Sequence, residues 1–279
     1  MLVAEMQLGA SPSEVSSRIT AAPLGGGGTE PVPGSATQRG TGILGLAYQD
    51  TLKLSLVSDR DPSMTGVFSL TSGRLVRIAG GNPLRQGVNG DGGPALDAVI
   101  QAPWGLGSWK QGALYIAEQA DSRLRVVKEG VISTYAGDGR CGIPQNGRAT
   151  ATSICSPGLV AVDSSGNVYV AQRVGAEWIA RIDATGTLTT ISNAFSIGGL
   201  AIDARGDLLV AGASNGKLVR YSGTAISAPP VVVASDLGAV RGLTVGRDGS
   251  IYMIHAPITD PALGRVWSVL RLRPRAGTP

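Results

Sequence analysis

"SPGLVAVDSSGNVYVAQ" (residues 156–172) and "SIGGLAIDARGDLLVAG" (196–212) align without a gap. Apolar Val160 and Val162 stand against Leu200 and Ile202, Asp163 against Asp203, and the turn residue Gly166 against Gly206. Each stretch is an apolar strand, a Gly-centred turn and an alternating second strand, which is the pattern of a β-hairpin. "APWGLGSWKQGALYIAE" (102–118) and "AVRGLTVGRDGSIYMIH" (239–255) follow it, with Gly112 and Gly249 at the turns, and "GILGLAYQDTLKLSLVS" (42–58) is a copy with a shorter turn.

After each hairpin comes a polar loop and a third strand containing Arg: "RLVRIAG" (74–80), "SRLRVVK" (122–128), "WIARID" (178–183), "KLVRYSG" (217–223) and "VLRLRP" (269–274). A fourth, more variable strand follows in several copies, such as "VISTYAG" (131–137). The turn glycines 112, 166, 206 and 249 lie 54, 40 and 43 residues apart. Four strands in about 40–45 residues is the period of a β-propeller blade. The reading is all-β, a propeller of four-stranded blades with five recognisable repeats. Five blades are expected, or six if residues 1–15 and an unrecognised hairpin contribute. The N-terminal "SSRITAAPLGGGG" (16–28) is similar to "GVISTYAGDG" (130–139), so a strand in segment 1–41 is expected to close the ring and the propeller proper to span 42–279. Closure of this kind removes an exposed sheet edge.

The pattern Pro-x-Gly, apolar-Ala-apolar-Asp, x-x-Gly-Asn-apolar-Tyr-Val-Ala, best carried by residues 156–171, resembles the NHL-repeat family of propellers over about 42–274. The "GDGGPA" loop (90–95) is similar to loops of secreted bacterial NHL proteins and teneurin-like propellers. The aspartate that the resemblance implies after the second strand is Glu118 or Gln172 here.

Composition sets the limits. The chain has 279 residues with 43% hydrophobic content, enough for a core, and 41 glycines without a collagen-like period. Net charge is +4, almost all of the basic side being Arg scattered through the chain, which argues against a nucleic-acid surface. No run of 18 apolar residues is present, so no transmembrane helix is expected. The opening "MLVAEMQLGASPSEVSS" lacks a basic region and carries Glu5, and does not read as a secretory signal.

The loop "GVNGDGGPALDAVIQAP" (87–103) aligns at an offset of 54 with "CGIPQNGRATATSICSP" (141–157), where Asn89, Asp91 and Asp97 become Ile143, Gln145 and Ala151. The shape persists and the potential ligands do not. An EF-hand count from Asn89 puts Gly93 fifth and Ile100 twelfth, so that Ca²⁺ loop is excluded. The stretch reads as a blade-to-blade connector, with a looser Ca²⁺ site at Asn89 and Asp91 as the weaker alternative. Cys141 and Cys155, the only cysteines, end the second copy of this loop. With a single His they cannot complete a zinc site, which leaves a disulfide or two inert thiols. A disulfide is expected, and with it an extracytoplasmic or secreted setting, cytoplasmic being the alternative.

Chemistry is sparse. His255 is the only histidine. Propeller lyases similar to this family use several His ligands, and sugar-lactonase-like propellers place Glu, Asn and Asp around a divalent metal, for which Glu118, Asn167 or Asp163 are the candidates. Asp163 and Asp203 share a repeat position before a turn, where an Asp side chain caps backbone N–H groups. Arg77, Arg181, Arg220 and Arg271 fall at one register of the third strand, with Val126 replacing Arg in the second copy. They form a ring that fits an acidic partner or glycan, unless their stems cover the neighbouring blade. Trp104 and His255 complete the candidate surface. The function favoured is non-catalytic: a binding or scaffolding propeller presenting the loops at 80–101, 137–156 and 256–264 to a protein or glycan. The alternatives are a divalent-metal hydrolase or lactonase, and a domain of a toxin-like or filament-forming assembly. No cofactor is required by the favoured reading, and the oligomeric state is open.

Overall fold

A computed structural model describes residues 2–8, 15–21, 30–31, 43–49, 54–59, 65–71, 74–81, 89–109, 111–172, 178–192, 196–246, 248–255, 258–260, 264–266 and 269–273. About half of the chain is strand and about 3% is helix. The alternating apolar runs of the repeats therefore form sheets, as the period-two pattern requires. The chain divides into two compact units, residues 1–142 with 149–158, and residues 143–148 with 159–279.

In the first unit, Leu2–Leu8, Val15–Ala21 and Glu30–Pro31 form a three-stranded sheet. A four-stranded antiparallel meander follows, Ile43–Gln49, Leu54–Asp59, Gly66–Thr71 and Arg74–Ala79, and then a second one, Pro103–Ser108, Leu114–Glu118, Arg123–Lys128 and Val131–Ala136. Their shared core contains Val67, Ala79, Ala95, Ala98, Ile100, Leu106, Ile116 and Ile132. The connector thus supplies core residues of its own.

The second unit repeats the plan. Pro157–Val162, Val168–Gln172, Ile179–Ile182 and Thr187–Ser192 form one sheet, and Ile197–Ile202, Leu208–Gly212, Leu218–Tyr221 and Val231–Ala234 the next. Tyr169, Ala171, Leu208, Val210 and Tyr221 are buried in the core that these two sheets share. A third sheet has three described strands, Val240–Val245, Ile251–His255 and Val269–Leu272, and Ile258–Asp260 pairs with Gly264–Val266 as a hairpin. Glycine is needed where first strands meet: a Cβ on Gly198 would lie 1.9 Å from the Val240 carbonyl oxygen, and one on Gly199 2.4 Å from the Leu243 Cβ. The hairpin turns also need it, since Gly112, Gly166, Gly206 and Gly249 all have φ between 73° and 89°.

Val15–Ala21 pairs with Leu2–Leu8 and with Glu30–Pro31. One expectation is corrected, the one for "RLVRIAG". It is the fourth strand of its sheet, because "GVFSLT" (66–71) is the third. Arg77 therefore matches Thr134 of "VISTYAG", and leaves the register of Arg181, Arg220 and Arg271.

Candidate functional site

The connector at 89–101 is bound down along its own sheet. Gly92 N–H donates to the Ile132 carbonyl at 2.8 Å, Ile132 N–H to Gly93 at 3.1 Å, and Ala95 N–H to Gly130 at 2.7 Å, around an antiparallel bridge between Pro94 and Val131. It acts as a short fifth strand that satisfies edge groups otherwise left open. The second copy does the same: Gly147–Arg148 pairs with Thr187 and Leu188, while Thr190 donates from its N–H to Asn146 Oδ1 at 2.8 Å and from its hydroxyl to Pro144 at 3.0 Å. The correspondence at offset 54 extends to the 3₁₀ turns Ala95–Asp97 and Ala149–Ala151 and to positive φ at Ala102 and Ser156. Cys141 and Cys155 form a disulfide, with Cα atoms 4.0 Å apart.

The first clasp is fastened from below. Arg125 is fully buried and donates to Asp91 Oδ1 at 2.5 Å, to the Asn89 carbonyl at 3.0 Å and to Glu118 Oε1 at 3.3 Å. Asp91 Oδ2 accepts from the Thr134 hydroxyl at 2.6 Å, and Asn89 Oδ1 accepts from the Asp91 N–H at 3.2 Å. Asn89 and Asp91 do meet, but they meet around a guanidinium. With a permanent cation 2.5 Å from Oδ1, this arrangement does not fit a calcium ion.

Glu118 is also fully buried, its Oε2 without a hydrogen-bond partner. Burial pushes its carboxyl up to about 8, against the opposing pull of Arg125. A neutral Glu118 agrees with the geometry, since Arg125 lies closer to Asp91 than to Glu118. The shorter contact of Arg125 is with Asp91, and burial favours the protonated form of Glu118.

Asp163, Asp203, Arg181, Arg220 and Arg271 hold turns. Asp163 Oδ1 accepts from the N–H groups of Ser165 and Asn167, both at 2.9 Å, and Oδ2 from Asn167 Nδ2 at 2.7 Å. Asp203 Oδ1 accepts from Arg205 and Asp207 N–H groups in the same way. Arg181 donates to Asn167 Oδ1 at 2.8 Å, Arg220 pairs with Asp203 at 3.4 Å, and Arg271 donates to Asp248 at 2.5 Å and to the Ser250 hydroxyl. The shared register is therefore a latch: each guanidinium holds the turn of the hairpin on which its strand lies. Val126, opposite Tyr115, takes the equivalent place beside the Trp109–Ala113 turn, where Trp109 N–H donates to Ala113 and Gly112 N–H to Trp109. Arg77 instead donates to the carbonyls of Thr65 and Gly80 and covers the Phe68 ring.

Trp104 is half-buried on Pro103–Ser108, and His255 is half-buried at the end of Ile251–His255 with Nε2 lacking a hydrogen-bond partner. Among the described residues no three His, Cys, Asp or Glu side chains gather into a metal-binding group. The parts of the expected surface at 82–88, 256–257 and 261–263 lie outside the described residues. The residue that sequence reasoning undervalued is Arg125, which faces away from the arginine register. Its signal was "SRLRVVK", where a second Arg alternates with the first.

No family model matches this chain, and no curated protein does. Solved structures do. A structure of a nidogen/laminin complex superposes with a TM-score of 0.61 at 14% identity, covering 98% of this chain and 94% of that one. The fold is a β-propeller. A gluconolactonase from Xanthomonas campestris matches with a TM-score of 0.61 at 10% identity over 92% of this chain and 82% of its own. A virginiamycin B lyase from Staphylococcus aureus matches with 0.53 at 12% identity over 99% and 89%. At these identities the likeness is one of fold, and propellers host unrelated functions.

Proposed function

We propose that this propeller is a non-catalytic binding or scaffolding module for a protein or glycan partner, of the NHL type, working in an extracytoplasmic setting. The observation that carries the reading is the engagement of the groups that resembled a reaction centre. Asn89 and Asp91 hold Arg125, Asp163 and Asn167 hold a turn, and Arg181, Arg220 and Arg271 hold turns as well. Exposed large apolar side chains stand instead on edges and connectors: Leu96, Ile143, Val231 and Val232. Exposed apolar surface on a stable scaffold is the usual ground for partner binding. The Cys141–Cys155 disulfide supports an oxidising compartment.

A lactonase-like second reading rests on Glu118, whose raised carboxyl and unpartnered Oε2 are of the kind found in reaction centres. One assay separates the two. Purified chain is supplied with Ca²⁺, Mn²⁺ or Zn²⁺ and offered sugar lactones and aryl esters. The binding reading predicts no turnover above the metal-only background. Turnover that a chelator removes and Glu118→Gln abolishes would overturn it.

A further inference from the structure

The two clasped sheets define what is missing from a third. The sheets 103–136 and 157–192 are each preceded by a long connector, 80–102 and 137–156, part of which returns along the outermost strand. The sheet 197–234 is preceded only by residues 193–196, too short to return. Its outermost strand, Val231–Ala234, pairs with Leu218–Tyr221 on one side. On the other side, no described residue pairs with it. Val231, Val232 and Val233 are 68%, 54% and 37% exposed. Three successive exposed valines occur on no other described strand.

Edges left open in natural sheets are usually guarded by charge. Here residues 222–235 contain no charged side chain. Two other outermost strands that no described residue pairs with on their far side, Arg74–Ala79 and Val269–Leu272, carry Arg74, Arg77 and Arg271. Pro229 and Pro230 limit the open edge to four residues, about 13 Å at about 3.3 Å per residue. Two rigid sheets meeting along so short a line bury less than the roughly 1,200 Å² of a stable association, so the area speaks against a second copy of this chain. A flexible extended segment has no such limit, because it pairs with the edge while its side chains reach over both faces. The protein's own clasp, Gly92-Gly93-Pro94-Ala95, shows an uncharged, small occupant that meets its strand through backbone bonds around the bridge at Pro94.

We infer that Val231–Ala234 is a docking edge for an extended, uncharged segment of a partner polypeptide, which adds antiparallel to the 197–234 sheet and takes the place that the connectors fill elsewhere. Main-chain pairing supplies the affinity, and the exposed valines select apolar or β-branched side chains at alternate positions. The inference rests on the binding reading above and names the chemistry of its partner.

The test uses the full chain and a capped peptide, acetyl-Gly-Thr-Val-Thr-Val-Gly-amide. Amide exchange at residues 231–234 is followed by NMR with 2 mM peptide, alongside the same peptide N-methylated at alternate amides. Exchange of the outward-pointing amides is expected to slow at least threefold, which corresponds to a Kd of about 1 mM, weak as suits a lone hexapeptide. The N-methylated peptide has no effect, and Val232→Lys, an exposed change, abolishes the slowing while retaining native dispersion. No slowing with the native chain, or equal slowing with the N-methylated peptide, overturns the inference. A dimer in sedimentation that Val232→Lys dissolves overturns the choice of occupant. If the peptide fails while the turnover assay is also blank, only the docking edge falls. Metal-dependent turnover removes the binding reading whatever the peptide does.

Discussion

Arg125, wholly buried on its sheet, donates at 2.5 Å to Asp91, which lies 34 residues earlier in the chain and half exposed on the connector. The connector is held to the strand 131–136 by backbone bonds, and this ion pair fixes it at one point. Removing the charge of Asp91 leaves the buried guanidinium with only Glu118 and a carbonyl. Asp91→Asn is expected to lower stability by about 2 kcal/mol, below the 3–5 kcal/mol of a fully buried pair because Asp91 faces solvent. The urea midpoint measures this, and a change under about 0.5 kcal/mol contradicts it.

Glu118 makes stability depend on pH. Its folded carboxyl titrates at about 8, above the ordinary 4.5, so the folded chain holds a proton that the unfolded chain releases. The contribution is fully present below about pH 4.5 and is lost as pH rises through about 8, with a slope of at most about 1.4 kcal/mol per pH unit. Glu118→Gln, which places there the residue found at 172, flattens this fall. Parallel pH profiles for the two proteins contradict the account.

The turn latches are worth less. The side chains of Arg271 and Asp248 are 32% and 52% exposed, and their pair is screened by water. Arg271→Leu is expected to cost under about 1 kcal/mol in thermal or urea unfolding. A loss above about 3 kcal/mol shows that the guanidinium carries more than one turn.

How far the sequence exposed this structure depends on the length of each signal. The hairpins at 156–172 and 196–212 were legible because the apolar alternation, the Asp and the turn glycine coincide over seventeen residues. The strand "GVFSLT" was not, since its six residues offer only Val67, Phe68 and Leu70 as apolar markers. Its omission put Arg77 one strand out of place. The connector at 87–103 was rightly read as a connector, yet its return along Val131–Ala136 rests on backbone bonds of Gly92, Gly93 and Ala95, which leave no trace in side-chain pattern. Glu118, Arg125 and Asp91 likewise come together through strand register and a long return, neither of which is local.

The disulfide closes a loop of about 15 residues, for which the chain-entropy model gives about 3 kcal/mol. Cys141→Ser with Cys155→Ser is expected to lower stability by that amount and to leave the 103–136 sheet folded. Unchanged unfolding on reduction of the native protein contradicts this.

The central claim is that the polar residues fasten sheet edges at the two clasps and that the uncharged edge at Val231–Ala234 is left open. Residue-resolved hydrogen exchange of the full chain tests it most directly. The account predicts slow exchange at Gly92, Ile132 and Thr190, each bonded into a clasp, and fast exchange at outward-pointing amides of Val231–Ala234. Exchange at Gly92, Ile132 and Thr190 as fast as in an unstructured peptide, or strong protection along Val231–Ala234 in the free chain, would contradict it.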